Sequence, residues 1–438
     1  MPVHKTEELL EFIKKKNAEI FVKIDKCNLS DSTDWFYDEE LGEIRNQNRS
    51  FFQIKGLKKY SCGKCVIEQP IIIQDEIGFL GIICCKIDGE MHFLMQAKIE
   101  PGNINNIQIS PTIQATKSNF TQKHGGKKPN YLEYFLNVKT ENIIVDQIQS
   151  EQSSRFYKKR NRNIIIEVDS QVEALPNYRW MTLAQIKELM RYDNLVNMDT
   201  RTVLSCIPID AMRKMGKFSD PAFLKSTEYA DSQKVFNRIC HHINNVKMFN
   251  DGSVELVPLD SVDNWTVTDR EIVCNLPYSF KVVFCNIEIE GREVRKWTQP
   301  LFEATGMATF GLFTCVDNGV KKFLVRAMPE LGCFDTVELG PTVQREYVND
   351  GEANVVDRLF DQKLKEKCNV EFDTVLSEEG GRFYHEENRN VIINIENDEL
   401  ACLPEGYFWA DYKTLNHFVS INNCLNIQLR NLLSVLNW

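Results

Sequence analysis

The sequence lacks the short motifs that mark several large enzyme classes. No GxGxxG loop, and no GxxxxGK loop followed by Ser or Thr, joins a strand to a helix, which argues against nucleotide-dependent oxidoreductases and kinases. The GxSxG elbow of serine hydrolases and the HExxH helix of zinc hydrolases are absent too. The sequence therefore argues against all four classes.

Long apolar runs and an excess of positive charge are also missing. No run approaches the ~20 apolar residues of a membrane span, and Met1 to Glu19 is charged without the apolar stretch of a signal peptide. The net charge of −10 over 438 residues argues against nucleic acid or an anionic membrane as the main partner. An anionic small molecule bound by a local Arg/Lys cluster is compatible with this composition.

Cysteine is plentiful, but only one pair has the spacing of a metal site. Most of the 14 cysteines stand in apolar, strand-like runs, which is typical of free, buried thiols in a reducing compartment and predicts a cytoplasmic protein. Cys62 and Cys65 form a CxxC motif without the second ligand pair that a structural zinc needs. We therefore predict a turn with two incidental thiols and no metal.

The chain contains an internal repeat. Gln69-Pro70 returns as Gln299-Pro300, and the same shift superimposes many further positions without a gap. Among them are Trp35 with Trp265, Glu100 with Glu330, and Pro111-Thr112-x-Gln114 with Pro341-Thr342-x-Gln344. The period is far longer than the ~20–50 residues of a solenoid repeat. We predict two tandem domains, 1–215 and 216–438, linked through a polar stretch at about 208–235.

Short apolar runs and turn signals predict that each repeat is an α+β unit with a bent, mixed sheet. Asp88-Gly89 and Asn318-Gly319 are strong hairpin signals between such runs. A helix capped by Thr6 is predicted to open the chain, a second to span 182–207, and a third to close it from Ile421 to Leu436. The predicted strands of the first repeat are 51–56, 65–73, 78–87, 91–99, 143–148 and 164–168.

The densest polar region lies on two neighbouring predicted strands. Residues two apart on a strand share a face, so one face carries His92, Gln96, Lys98 and Glu100 beside a single Leu94. The following strand presents Ser110, Thr112, Gln114 and Thr116 in the same way. A solvated surface would explain the first strand alone, whereas two such strands together favour the wall of a ligand cleft.

The second copy keeps only part of this wall. Glu330, Thr342 and Gln344 match their first-half counterparts, but Met328 replaces Lys98 and Arg326 replaces Gln96. Burial can shift the pKa of a lysine toward neutrality, as proton transfer requires, and a methionine cannot take that role. We therefore predict that the first half is catalytic and that the second is vestigial or structural.

A basic segment and two tryptophans leave alternatives open. Arg155 and Arg162 border the main basic cluster, and Arg382 and Arg389 are their counterparts. Phosphate contact and structural salt bridges both suit these arginines. Trp35 and Trp265 each suit either stacking on a sugar or base, or a place in the core.

The string from His92 to Thr121, followed by His124-Gly-Gly and Tyr131-Leu-Glu-Tyr134, closely resembles the NDP-hexose 2,3-dehydratases. The resemblance covers nearly the whole chain, including the duplication. One departure is Ile67, where the second copy has Trp297 and the family usually has tryptophan in both halves.

The resemblance implies a tandem pair of Nudix-like domains, a homodimer, and a nucleotide-linked 4-keto-6-deoxyhexose, usually dTDP-linked, as substrate. Water is lost across C2 and C3 to give a 3,4-diketo-2,6-dideoxyhexose in deoxysugar biosynthesis. No cofactor is implied, because the 4-keto group is the electron sink. A 3-ketoreductase is implied downstream. A sugar-nucleotide-binding or scaffold protein without turnover is the alternative.

The expected site residues fall into three groups. The catalytic candidates, among which acid and base are not assigned, are Lys98, Glu100 and His124. The substrate-binding candidates are Trp35, His92, Gln96, Thr112, Gln114, Ser118, Asn119, Tyr131, Tyr134, Arg155 and Arg162. The second-half pocket is predicted to contain Trp297, Arg326, Glu330, Thr342, Gln344, Arg382 and Arg389.

Overall fold

Mixed β-sheets with helices packed around them make up the structure, which confirms the predicted α+β class. It is a computed structural model that describes residues 2–48, 51–116, 128–216, 218–290, 294–348 and 351–437. No described helix is long and apolar enough to cross a membrane.

The strands follow the apolar runs of the sequence. Those of the first half are β1 (Val22–Cys27), β2 (Trp35–Asp38), β3 (Glu43–Asn46), β4 (Gln53–Ser61), β5 (Lys64–Ile73), β6 (Gly78–Ile87), β7 (Glu90–Ile99), β8 (Ile107–Ser110), β9 (Ile113–Ala115), β10 (Ile143–Ser150), β11 (Phe156–Tyr157), β12 (Arg160–Glu167) and β13 (Tyr178–Thr182). Those of the second half are β14 (Ser253–Val257), β15 (Trp265–Val267), β16 (Glu271–Cys274), β17 (Phe280–Ile289), β18 (Lys296–Ala304), β19 (Ala308–Asp317), β20 (Val320–Pro329), β21 (Val337–Gly340), β22 (Val343–Arg345), β23 (Val370–Ser377), β24 (Glu387–Asn394) and β25 (Tyr407–Asp411).

The described helices lie between the strands and at the junction of the two halves. They are α1 (Thr6–Glu19), α2 (Leu132–Leu136), α3 (Leu183–Leu189), α4 (Met198–Ser205), α5 (Ile209–Met215), α6 (Pro221–Thr227), α7 (Ser232–Met248), α8 (Val355–Glu366), α9 (Tyr412–Val419) and α10 (Ile427–Ser434).

Two seven-stranded sheets share one strand order. The first runs β10-β12-β6-β7-β13, with β9 on β6 and β8 on β7, and the second runs β23-β24-β19-β20-β25, with β22 on β19 and β21 on β20. In each sheet one central pair, β6 with β12 and β19 with β24, is parallel. The hairpins at Asp88-Gly89 and Asn318-Gly319 are confirmed, and all four residues have positive φ.

The two smaller sheets exchange strands between the halves. Strand β1 pairs with β17 of the second half, and β14 of the second half pairs with β4 of the first. Each half therefore completes a sheet of the other. The division predicted between residues 215 and 216 stays a prediction from the repeat.

Two glycines, Gly102 and Gly332, fix a second contact in which each half docks a turn on a loop of the other. The Gly102 amide donates to the carbonyl of Gly380 over 2.7 Å, and the Gly332 amide donates to that of Ser153 over 2.7 Å. A Cβ atom at Gly102 would lie 1.5 Å from the carbonyl oxygen of Phe383. The turn after β7 therefore docks on a loop of the second half, and the matching turn after β20 docks on a loop of the first, where only glycine fits.

The helix bounds correct several predictions. The helix predicted over 182–207 is two helices, α3 and α4, because Asn194 has a φ of 55° and the Asn197 side chain caps α4. The last predicted helix begins later, where Asn426 caps α10. The predicted linker is largely helical (α5, α6 and the start of α7), and Asp220 caps α6. The cap of α1 is Lys5 rather than Thr6.

Strand β7 is polar on one face only near its end. Phe93 and Met95 enter the large core shared by both halves, while Leu94 packs with Trp180 in a separate core on the opposite face. His92 is fully buried. The polar face predicted for the whole strand is therefore confined to its C-terminal end.

Candidate active site

A chain of hydrogen bonds links four polar side chains at the end of β7. Lys98 Nζ and Gln114 Nε2 both donate to Glu100 Oε1, each over 2.9 Å. Asn197 Nδ2 donates to Gln114 Oε1 over 3.3 Å, while its own oxygen caps α4. Lys98 and Glu100 have side chains only 15% and 5% exposed. The structure thus groups Lys98, Glu100 and Gln114, and it adds an asparagine.

The second half repeats this arrangement without the lysine. Gln344 Nε2 donates to Glu330 Oε1 over 2.7 Å, and Asn426 Nδ2 donates to Gln344 Oε1 over 2.8 Å. Met328 stands where the first half has Lys98. Burial raises the pKa of Glu330 to about 7, although hydrogen bonds from Gln344 and Asn426 oppose that shift. This carboxylate thus has a glutamine amide as its partner and no counterpart of Lys98.

The two pocket arginines lie beside the opposite half from the one that the sequence predicts. Arg155 Nη2 donates to Glu346 Oε2 over 3.0 Å, and its guanidinium lies 4.2 Å from the ring centre of Phe280. Arg382 Nη2 donates to Gln74 Oε1 over 3.4 Å. The exchanged loops cause this difference: each carries its arginine across the boundary between the halves.

Four further ionisable side chains interact electrostatically with this cluster or with one another. Burial raises the pKa of Glu151 to about 7 and that of Asp199 well above its usual value. Burial also lowers the pKa of Lys159 to about 8, against the attraction of nearby carboxylates. The pKa of Glu379 is raised by burial first and by the charge of Glu100 second. Groups whose pKa is shifted toward neutral pH suit proton transfer.

Thr112 and Thr342 join strands and do not line the cluster. The Thr112 hydroxyl accepts from the amide of Ile83 over 2.9 Å and donates to the carbonyl of Leu94. Thr342 makes the equivalent two bonds in the second half. Both side chains are completely buried, so they bind neighbouring strands together.

Three other predicted residues lie in structural contacts. His92 Nε2 accepts from the amide of Val3 over 3.2 Å. The Tyr131 hydroxyl donates to a backbone carbonyl over 2.9 Å. Trp35 is buried, with its ring centre 4.6 Å from that of Phe52. The structure does not bring these side chains to the Lys98–Glu100 pair.

Arg162 and Arg389 lie in matching ion pairs between the edge strand of each seven-stranded sheet and its neighbour. Arg162 donates twice to Asp146, over 2.7 and 2.6 Å, and Arg389 donates twice to Asp373, over 2.8 and 2.6 Å. These ion pairs are the structural salt bridges of the two alternatives, and phosphate contact by these arginines stays a prediction.

The remaining predicted residues are dispersed. Gln96 is half-buried on β7, two positions before the lysine, and Tyr134 is half-buried on α2. Arg326 lies over an aromatic ring whose centre is 5.3 Å away, and Trp297 Nε1 donates to Gln299 Oε1 over 2.8 Å. Three predicted residues fall outside the described ranges: Ser118, Asn119 and His124.

The CxxC segment is a turn, as predicted. Cys62 and Gly63 both have positive φ in the tight connection between β4 and β5, and Cys62 and Cys65 are exposed. All 14 cysteines are unpaired. In the part of the chain that the structure describes, no three His, Cys, Asp or Glu side chains gather as metal ligands would.

Comparison with known proteins places the chain in a family. The sequence model of a family described as NDP-hexose 2,3-dehydratase matches residues 6–207 and again 237–436. The chain belongs to the NDP-hexose 2,3-dehydratase family. The two matches separate the chain into the same two copies that the internal repeat indicates.

Three proteins with similar sequences carry one name, dTDP-4-dehydro-6-deoxy-alpha-D-glucopyranose 2,3-dehydratase. The protein of Saccharopolyspora spinosa is 38% identical over 92% of this chain and 85% of its own length. That of Streptomyces violaceoruber is 36% identical over 94% and 92%, and that of Amycolatopsis orientalis 34% identical over 99% and 90%.

Sequence reasoning missed several residues of this dehydratase-family cluster. Asn197 had a usable signal, because the Asn-x-x-Asn pattern ending there recurs at Asn426. Lys159 stands inside the basic segment that the sequence singles out. Glu379 and Asp199 gave no signal, since their counterparts in the repeat are glutamines and the crossing of the loops is not visible in sequence.

Proposed function

We propose that the chain is a hydro-lyase that removes water across C2 and C3 of dTDP-4-keto-6-deoxyglucose, giving a 3,4-diketo-2,6-dideoxyhexose. The observation that carries the proposal is the Lys98–Glu100–Gln114 group in a chain whose full-length relatives bear that activity in their names.

The substrate supplies its own electron sink. The 4-keto group acidifies the C3 proton, so a protein base can remove it and leave an enolate. Loss of the C2 hydroxyl from this enolate, with a proton, releases water. The resulting enol then tautomerises to the 3,4-diketo sugar. What the protein must supply is a base, a proton donor and positive charge near the enolate oxygen.

The first half supports these roles. Lys98 is a cation held 2.9 Å from Glu100 Oε1 in a largely buried place, where its charge acts more strongly than in water. His124 is the third candidate for proton transfer. Gln96 and Gln114 are proposed to contact the sugar nucleotide. The second half, with Met328, is proposed to bind without reacting or to support the fold.

The proposal extends to the fold and to partners. The two halves are proposed to be a tandem duplication of a Nudix-like domain, and the protein a cytoplasmic homodimer. The equal strand order of the two seven-stranded sheets supports the duplication, and the unpaired cysteines support a reducing compartment. Because a 3,4-diketo sugar is reactive, a 3-ketoreductase is proposed to consume the product.

Incubation with dTDP-4-keto-6-deoxyglucose and a 3-ketoreductase tests the activity. We expect a dTDP-linked 2,6-dideoxy sugar, identified by mass spectrometry, and solvent deuterium in the sugar when the reaction runs in deuterium oxide. Unchanged substrate, with the GDP- and UDP-linked analogues also inert, would contradict the proposal and favour a binding protein without turnover.

A further inference from the structure

A loop of the second half closes on the first-half cluster. The amide of His385 donates to the carbonyl of Gly102 over 2.8 Å, and the Gly102 amide donates back to the carbonyl of Gly380 over 2.7 Å. Gly102 follows Glu100 by two positions. The loop is therefore fixed next to the cluster, and it carries Glu379 into the electrostatic range of Lys98 and Glu100.

We infer that Glu379 is the group that removes the C3 proton in the first-half site, and that this site is shared between the two halves. The inference rests on the proposed dehydratase activity and names a residue for one of its steps.

The carboxylate of Glu379 is uncommitted. No side chain or amide in the described part of the chain donates a hydrogen bond to it, whereas Glu100 accepts from both Lys98 and Gln114. A base needs an available lone pair, and Glu379 has one. Glu100, held by its two donors, is better suited to fix the orientation of Lys98.

The surroundings of Glu379 suit a base. Charged or titratable neighbours act on it from both halves: Lys98, Glu100, Glu151, Lys159, Asp199 and Arg382. Burial and the charge of Glu100 raise its pKa, while the cations keep an anionic form accessible. A base whose pKa is moved toward the working pH is the more effective one.

The repeat provides a comparison within the same molecule. The loop position that matches Glu379 in the first half is Gln152, an amide that cannot take a proton, and the second-half pocket also has Met328 in place of the lysine. Gly381 leaves room for the carboxylate, because a Cβ atom there would lie 2.2 Å from Glu379 Oε1 and would require this side chain to move. Ser154 occupies that place in the first half.

The loss of water needs no reactant other than the substrate. The C3–H bond breaks, its proton passes to Glu379, and its electron pair forms the C3–C4 double bond of an enolate beside the Lys98 ammonium. The C2–O bond then breaks, the ketone at C4 re-forms with a C2–C3 double bond, and the departing hydroxyl takes the proton that Glu379 has received and leaves as water, which restores the carboxylate. No external oxidant or reductant is needed.

Glu379→Gln tests the inference, with Gln152→Ala, the matched loop position, as control. We expect Glu379→Gln to lower kcat at least about 10²-fold and to abolish deuterium exchange at C3, with the Kd for dTDP within about threefold of wild type. The limb of the pH–rate profile that reports a base should vanish. Glu379→Asp, which keeps a carboxylate, should retain that limb, and the control should keep full turnover.

Two results would overturn the inference. One is turnover of Glu379→Gln within threefold of wild type. The other is a loss in which dTDP binding and folding, followed by thermal unfolding, account for the whole change while the pH profile of the remaining activity is normal. If Glu379→Gln does not fold, Glu379→Ala is measured in its place, and turnover and exchange at C3 within threefold of wild type in that variant speak against a base at this position. Wild-type enzyme without any product would instead defeat the proposed function itself.

Discussion

Substituting Lys98 by methionine copies the second half into the first and tests the role of the cation. In the structure Lys98 Nζ lies 2.9 Å from Glu100 Oε1. The variant leaves Glu100 with the amide of Gln114, which is the arrangement that Glu330 has with Gln344. The second half of the chain therefore already contains the arrangement that the variant would have.

The second-half arrangement sets the expected changes in unfolding free energy and in turnover. Removing one partner of a buried ion pair costs ~3–5 kcal/mol when the other charge persists. Beside Met328, however, burial raises the pKa of Glu330 to about 7. We expect Glu100 in the variant to take up a proton in the same way, so the unfolding free energy falls by only about 1–2 kcal/mol. Turnover should fall about 10²-fold, which corresponds to ~2.7 kcal/mol in activation free energy.

The assay is turnover of dTDP-4-keto-6-deoxyglucose coupled to a 3-ketoreductase, with calorimetric binding of dTDP alongside. Binding should change little, because the lost group acts on the sugar. Met328→Lys, which places a lysine beside Glu330, is the matched control and should leave turnover unchanged. Near-normal turnover of Lys98→Met would refute the reasoning, and so would a fall in dTDP affinity as large as the fall in kcat.

Two further predictions concern the contact between the halves and the pH dependence of stability. Gly102→Ala or Gly332→Ala should lower the unfolding free energy by about 3 kcal/mol or more, because each new Cβ would lie within 2 Å of a carbonyl oxygen of the opposite loop. Gly216→Ala, where nothing lies within 4 Å, is the control, and equal melting temperatures for all three would contradict the contact. Glu330→Gln should stabilise the protein increasingly from about pH 4.5 to pH 7 and by a constant amount above, because a carboxyl whose pKa is raised to about 7 by folding makes the wild type lose stability over that interval. Denaturant unfolding of both proteins at several pH values measures the difference, and a difference that does not grow with pH would contradict it.

Local chemistry decided much of what the sequence predicts correctly. The hairpins at Asp88-Gly89 and Asn318-Gly319 need two consecutive residues with positive φ, and these pairs adopt them readily. The polar faces of the two predicted strands placed Glu100 and Gln114 on one wall, and the structure brings them together, although β9, which carries Gln114, pairs with β6 rather than with β7. Helix ends were predicted less well, because single asparagine caps such as Asn197 set them.

The tertiary structure alone decided which half each element serves. Strands β1 and β14 and the loops that carry Arg155 and Arg382 cross to the opposite half. In a duplicated chain, a segment meets nearly the same partner surface in its own copy and in the other, so the sequence pattern is satisfied by both arrangements. The choice depends on how the intervening chain spans the two copies and on the close approach at Gly102 and Gly332. The sequence by itself determined the repeat, the polar cluster and the missing lysine of the second half, while only the packing of the two copies against each other brought Glu379 to that cluster.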